Sequence, residues 1–330
     1  MERVAVVGAG SWGTAVAALA AREHPVVLWA RRGELAAAIN ATSENSDYLP
    51  GHRLPYGLRA TDQLGDALDE ATVLVMAVPS HGFRRVLTEA GEISPSLPIV
   101  SLTKGIEEGS LRRMTEVVSE VLPRHDPART GVLTGPNLAR EVISGHPTAA
   151  VVAMTDPEAG QLVQATFMGP TFRVYTNPDV IGCELAGSLK NVMAIAAGMS
   201  SGLGFGDNTR AALITRALAE ESRLGVALGG QPATFAGLAG MGDLIATCTS
   251  VQSRNHQVGV ELARGRRLEE ITAEMKMVAE GVKTTRAVLQ LAQEVGVEMP
   301  IATQVARVLY EGHHPRQAVL TLMTREARAE

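Results

Sequence analysis

The sequence predicts an α/β protein: a doubly wound sheet in the N-terminal part, then an all-α C-terminal domain. Three observations carry this. Short, mostly apolar β-rich runs alternate with helical segments through the first half. A Gly-x-Gly-x-x-Gly turn follows the first of those runs. From about Asp179 onward strand-like runs cease, and helix-period segments follow one another to the end.

Taken in order, the β-rich runs are 3–7, 26–30, 72–78, 99–102, 131–133, 148–153 and 172–175, with a weaker candidate at 58–61. Several hold almost nothing but Val, Ile, Leu and Ala. Such runs suit strands buried on both faces, as a parallel sheet covered by helices requires. Strands alternating with helices read as doubly wound α/β. The later helical segments are 180–199, 209–224, 233–238, 255–264, 268–272, 284–294, 301–310 and 315–323. A boundary at 178/179 then divides the chain into a dinucleotide-binding domain, 1–178, and a helical substrate and catalytic domain, 179–330.

The composition limits what such a chain does. Its 330 residues are enough for two domains, and 45% hydrophobic with 20% charged residues fits a globular protein. A net charge of −5 gives no global attraction for nucleic acid or an anionic membrane. Two cysteines, Cys183 and Cys248, make no disulfide framework and read as free buried thiols in a reducing cytosol. No run approaches ~18 uninterrupted apolar residues and no secretory leader is visible, so neither a membrane span nor export is expected. The eight histidines are scattered, with no His-Glu-x-x-His or Cys/His cluster, and no metal is expected.

The turn Gly8-Ala9-Gly10-Ser11-Trp12-Gly13 stands between an apolar strand and a helix-like run, 14–22. That context marks a Rossmann-like dinucleotide site. Gly8 permits the tight turn, Gly10 lets backbone approach a pyrophosphate, and Gly13 lets helix pack on strand. The helix N-terminus offers N–H groups and a favourable dipole to the phosphates. The second strand ends in Arg31-Arg32, where an NAD-selective site usually carries an acid. Arginine can pair with a 2′-phosphate, which favours NADP(H) while leaving NAD(H) acceptable. The alternative is a solvated arginine pair, stronger for Arg32 than for Arg31.

Hydride transfer to or from a carbonyl carbon also needs a proton at the oxygen, and a buried lysine can supply it. Lys190 is the best candidate, in an apolar helical stretch beside Asn191. A lysine there is costly unless it faces a polar cavity; the alternative is a side chain snorkelling to solvent. A second polar island runs from Gly240 to Leu244, followed by Ser253, Arg254 and Asn255. Asp243 can balance a cationic lysine. Ser253, Arg254 and Asn255 open a helix, where they serve either as a polar cap or as ligands of a phosphate.

These stretches resemble the bacterial-type NAD(P)-dependent sn-glycerol-3-phosphate dehydrogenases over nearly the whole chain. The likeness lies in 8–15 (GAGSWGTA), 78–81 (VPSH), 101–107 (SLTKGIE), 135–141 (GPNLARE), 187–192 (GSLKNV), 208–216 (NTRAALITR), 240–247 (GMGDLIAT), 253–255 (SRN) and 280–285 (EGVKTT). The resemblance implies that Lys190 is the proton donor in ketone reduction and the acceptor in alcohol oxidation. It implies that Lys104 touches both cofactor and substrate. Gly135, Asn137, Asp243, Ser253, Arg254 and Asn255 would line the substrate site with Lys190. Ser11, Trp12, Arg31, Lys104, Ala139, Arg254, Val278 and Glu280 would touch the cofactor. The implied reaction is hydride transfer from NADPH to dihydroxyacetone phosphate, giving sn-glycerol 3-phosphate for phospholipid synthesis in the cytoplasm.

Asn137-Leu138 departs from the Ser-Phe often found there, which puts the contribution of residue 137 in doubt. Two other readings remain. One is a β-hydroxyacid-type dehydrogenase acting on a carboxylate, against which Ser253–Asn255 argues. The other is a non-catalytic NADPH-sensing protein, against which the presence of both Lys190 and Asp243 argues. A second copy of the chain is carried as a candidate partner, since the sequence does not give the oligomeric state.

Overall fold

A computed structural model describes residues 1–275, 278–324 and 326. Two compact units emerge: Met1–Thr103 with Arg112–Cys183, and Lys104–Leu111 with Glu184–Glu330.

The first unit holds one eight-stranded sheet: β1 (Val4–Val7), β2 (Val26–Trp29), β3 (Leu58–Thr61), β4 (Val73–Met76), β5 (Ile99–Ser101), β6 (Thr130–Thr134), β7 (Thr148–Ala153) and β8 (Phe172–Asn177). The spatial order is β3-β2-β1-β4-β5-β6-β7-β8. The weak candidate at 58–61 is therefore a strand, paired with β2 from Leu58 opposite Val26. Helices α1 (Ser11–Ala20), α2 (Gly33–Thr42), α3 (Leu64–Leu68), α4 (Ser80–Glu89), α5 (Met114–Val121), α6 (Ala139–Ile143) and α7 (Pro157–Phe167) fall between the strands.

The reason for continuously apolar strands is visible in where alternate residues go. Val4, Val6, Val26, Leu28, Val73 and Val75 enter one core. Ala5, Val7, Val27, Trp29, Leu74 and Met76 enter the other. A strand whose side chains alternate between two cores has no polar face to display.

One expectation needs correcting. The strands were expected to form a parallel sheet, and β1 to β6 do so, but β7 runs antiparallel to β6 and carries β8 parallel to itself. A parallel return needs a long crossover, usually a full helix. The connection from β6 instead holds the five-residue α6, with positive-φ glycines at Gly135 and Gly145 on either side. The chain turns back rather than crossing over.

The long α8 (Val180–Gly202) begins in the first unit and supplies Glu184 onward to the second. It is long and apolar enough to cross a membrane, but 89% of its most apolar 18-residue window is buried inside the protein. A helix apolar all round is what the centre of a helical domain requires. Around it come α9 (Asp207–Ala227), α10 (Pro232–Ala236), a π-helical turn at Leu238–Gly242, α11 (Asp243–Thr249), α12 (Arg254–Ala263), α13 (Leu268–Glu274), α14 (Glu280–Glu294), α15 (Pro300–Glu311) and α16 (Pro315–Met323).

The expected helix over 233–238 stops at Ala236, and the island at 240–244 turns out to be helical. Packing overrides glycine's poor helix propensity there: a Cβ on Gly240 would lie 2.2 Å from the carbonyl oxygen of Phe235. Both cysteines are free and buried, and burial pushes the Cys183 thiol up to about 12.

Candidate active site

In the first unit the candidate site begins at the turn from β1 into α1. Gly8 has φ +125°, and a Cβ there would sit 2.5 Å from the Ala77 carbonyl oxygen. A Cβ on Gly13 would lie 2.0 Å from the carbonyl oxygen of Gly8. Gly10 is different: it precedes α1, and nothing lies within 4 Å of where its Cβ would be. Two positions are thus closed to any side chain and the one between them is open. The helix begins at Ser11, earlier than the expected start at Thr14, so Ser11, Trp12 and Gly13 form its first turn. The N–H groups of a first turn have no intrahelical partner. This cradle fits the pyrophosphate of a dinucleotide.

Neighbouring side chains hold the turn in place. Asn45 donates through Nδ2 to the Ala9 carbonyl at 2.9 Å and to Thr14 Oγ1 at 2.8 Å. Ser11 Oγ donates to the Tyr48 carbonyl at 2.9 Å. The Trp12 indole N–H is buried without a partner among the described residues, and its ring lies 6.4 Å from that of Phe172. At the end of β2, Arg32 is paired with Asp47, whose hydrogen bond raises its proton affinity. Arg31 is exposed and has no ion pair with a described residue. After β6, Gly135 has φ +128°, Asn137 is buried, and Ala139 opens α6.

The second unit gathers charge. Lys190 on α8 is only 5% exposed. Its Nζ lies 3.1 Å from Asp243 Oδ1 and donates to Thr247 Oγ1 at 2.5 Å. Lys104 Nζ lies 2.6 Å from the other oxygen of Asp243. Thr247 Oγ1 donates in turn to Asp243 Oδ1 at 3.3 Å. One buried carboxylate therefore serves two lysines, pairing charge that would be costly to bury alone. The Lys104 ammonium is still brought down to about 8, chiefly by burial and further by Lys190, with Asp243 opposing.

A chain of amides ties these residues to the next group. Asn191 Nδ2 donates to the Lys104 carbonyl at 2.9 Å, Asn255 Nδ2 donates to Asn191 Oδ1 at 2.9 Å, and Asn255 Oδ1 accepts from the Gly281 N–H at 3.0 Å. Ser253 caps α12 by accepting from the His256 N–H at 3.3 Å. Arg254 donates to the Val278 carbonyl at 2.6 Å. Burial lowers its proton affinity and Glu280 opposes that.

The structure thus brings Lys104, Lys190 and Asp243 together, and Arg254 beside Val278. Thr247 and Asn45 were absent from the sequence-derived site. Only Thr247 left a signal, since its spacing of four from Asp243 puts both on one face of a helix. Among the described residues, no group of three or more His, Cys, Asp or Glu side chains is placed to hold a metal ion.

Two family models cover the chain: NAD-dependent glycerol-3-phosphate dehydrogenase N-terminus over residues 3–160 and C-terminus over 179–320. A glycerol-3-phosphate dehydrogenase [NAD(P)+] of Geobacter metallireducens is 53% identical over 100% of this chain and 99% of its own. The chain belongs to the NAD-dependent glycerol-3-phosphate dehydrogenase family. A relative from Sphingopyxis alaskensis, bearing the same description with the number 2, is 56% identical over 92% of this chain and 90% of its own. The crystal structure of the glycerol-3-phosphate dehydrogenase of Coxiella burnetii matches with a TM-score of 0.93 and 40% identity, over 98% of this chain and 99% of that one.

Proposed function

We propose that this protein is an NAD(P)-dependent sn-glycerol-3-phosphate dehydrogenase, reducing dihydroxyacetone phosphate to sn-glycerol 3-phosphate and running in reverse at high product. Membership of the family supports the reaction, and the Lys190–Asp243–Lys104–Thr247 cluster is the observation that supports the chemistry. Gly8, Gly10, Ser11, Trp12 and Gly13 are assigned to the dinucleotide, with Arg31, Arg32, Lys104, Ala139, Arg254, Val278 and Glu280. Gly135, Asn137, Lys104, Lys190, Asp243, Ser253, Arg254 and Asn255 are assigned to the substrate. Residues 1–178 act as the dinucleotide domain and 179–330 as the substrate domain.

The dinucleotide, when bound, supplies the hydride. The chain's own residues do the rest. Lys190 gives a proton to the ketone oxygen as negative charge develops there, and takes it back in alcohol oxidation. Asp243 and Thr247 fix the ammonium in place. Lys104 adds a second positive charge, and fixed charge in a dry site is worth far more than in water. Arg254, at the start of α12, grips the phosphate with a planar fork and the helix dipole behind it.

NADP(H) is the preferred cofactor, because Arg31 stays available for a 2′-phosphate while Arg32 is engaged by Asp47. A cytoplasmic enzyme feeding phospholipid synthesis follows from this reaction. The test is direct. NADPH oxidation is followed with dihydroxyacetone phosphate and with two or three carboxylate analogues of similar size. Turnover confined to the phosphate ester is expected; a carboxylate turned over faster overturns the assignment.

A further inference from the structure

The end of β2 carries two arginines and no acid of its own, yet the fold brings one there from further along the chain. Arg32 caps α2, and the carboxylate of Asp47, fifteen residues on, pairs with its guanidinium. Among the described residues, Asp47 is the one carboxylate at ion-pair distance from Arg32. Arg31, next to it, is exposed and has no ion pair with a described residue. Of two neighbouring arginines, one is held and the other is not.

Asp47 is itself fixed on both sides. Asn45, two residues earlier, is fully buried and donates to the Ala9 carbonyl and to Thr14 Oγ1. Tyr48, one residue later, accepts from Ser11 Oγ through its carbonyl. The Asn45 carbonyl accepts from the Tyr48 N–H at 3.2 Å and the Leu49 N–H at 2.8 Å, which closes a turn around Asp47, and Leu49 is buried. A bridge between Glu44 and Arg53 closes the base of the excursion from α2 to β3. The segment that carries Asp47 is thus fastened to the glycine turn before and after that residue. A ligand seated on the glycine turn meets Asp47 and Arg32 in a set position.

In a Rossmann-like site the adenosine ribose lies beside the end of the second strand, where an acid suits a 2′-hydroxyl and an arginine a 2′-phosphate. Resting on the assignment of a dinucleotide to the glycine turn, we propose that Asp47 is a specificity-determining residue for the cofactor: it occupies the Arg32 guanidinium and keeps it off a 2′-phosphate, leaving that group to Arg31. The acid that the end of β2 lacks in sequence is supplied in space. A guanidinium fork paired with a carboxylate cannot offer the same N–H groups to a phosphate. An ion pair this exposed adds little to stability, so its consequence lies in the choice of ligand. Arg31, Arg32 and Asp47 together carry one positive charge; without Asp47 they carry two. NADH has no 2′-phosphate to sense the difference.

The test compares ligands that differ only in the 2′-phosphate. Adenosine 2′,5′-bisphosphate and adenosine 5′-monophosphate are titrated into the cofactor-free protein by calorimetry, and NADPH and NADH by fluorescence, all at low ionic strength. Asp47→Asn should tighten the two 2′-phosphate ligands by about three- to fivefold, the scale of an exposed ion pair, and leave the other two within about twofold. Asp47→Ala should act in the same direction, since it also removes the amide oxygen that Arg32 can still use. The gain should run through Arg32: in an Arg32→Ala background, either change should yield less than half of it.

An unchanged 2′-phosphate preference in both Asp47 variants overturns the proposal. So does a gain that keeps more than half its size without Arg32, because Asp47 then acts through its own charge alone. An equal gain for ligands with and without the 2′-phosphate overturns it as well, since Asp47 then only shapes the turn. If the parent binds neither NADPH nor NADH, the dinucleotide assignment fails and takes the proposal with it. If the parent binds both and the Asp47 variants match it, the Asp47 proposal alone fails.

Discussion

Asp243→Asn removes the one carboxylate that buried Lys190 and half-buried Lys104 share, with little change of volume. At an effective dielectric near 20, a charge pair at 3.1 Å is worth ~5 kcal/mol, and the 2.6 Å pair slightly more. Those figures set a ceiling, because an unpaired buried ammonium can escape by releasing its proton. For an ordinary lysine at pH 7.5 that release costs ~4 kcal/mol. For Lys104, brought down to about 8, it costs under ~1 kcal/mol. The expected loss of unfolding free energy is therefore ~3–5 kcal/mol at pH 7.5, the usual range for breaking a buried pair. Above about 8 Lys104 is neutral and no longer needs Asp243. The loss should shrink by up to ~0.8 kcal/mol at pH 9.5. Urea unfolding of parent and variant at both pH values measures this. A loss below ~1 kcal/mol at pH 7.5, or one that does not change with pH, would refute the shared-counter-ion reading.

Lys190→Arg keeps the charge but releases no proton near neutrality, so kcat should fall by ~10²–10⁴ while NADPH still binds in a fluorescence titration; near-normal kcat would move the proton to another group. Arg31→Asp should lower the NADPH/NADH ratio of kcat/KM by on the order of tenfold, as a guanidinium–phosphate pair becomes a repulsion; an unchanged ratio counts against Arg31. Arg254→Ala should raise KM for dihydroxyacetone phosphate by about tenfold or more and matter much less for unphosphorylated dihydroxyacetone. Equal losses would take Arg254 out of the phosphate site. Gly13→Ala puts a Cβ 2.0 Å from the Gly8 carbonyl oxygen, so a drop of ~1–3 kcal/mol in stability and weaker cofactor binding are expected; an unaltered melting curve would contradict the packing described.

How much could be read from the chain alone depended on whether the signal was local. Each strand of β1, β2 and β4 is apolar at every position because its two faces enter two cores, and that pattern is written in consecutive residues. The glycine turn is equally local, since steric closure at Gly8 and Gly13 allows only glycine. The reversal at β7 was not legible: the runs 148–153 and 172–175 look the same whichever way they point, and strand direction is decided by the connection. Asp243–Thr249 was missed as a helix because Gly240, Gly242 and its threonines argue against one, while the packing of Gly240 on Phe235 favours it. In the candidate site, Lys190 and Asp243 were conspicuous as charges among apolar residues. Asn45 gave no sign that it would hold the Ala9 carbonyl.

The short segment Lys104–Leu111 belongs to the second unit although sequence on both sides of it belongs to the first. A gene cut near residue 180 would therefore not yield two self-sufficient cassettes. The downstream fragment would carry Lys190 and Asp243 as a neutral couple, without the lysine whose Nζ sits 2.6 Å from the second carboxylate oxygen. Swapping such a fragment between relatives would be an exchange of incomplete parts. Recombination that respects this architecture has to move two stretches of coding sequence at once, so that both lysines travel with the carboxylate they share.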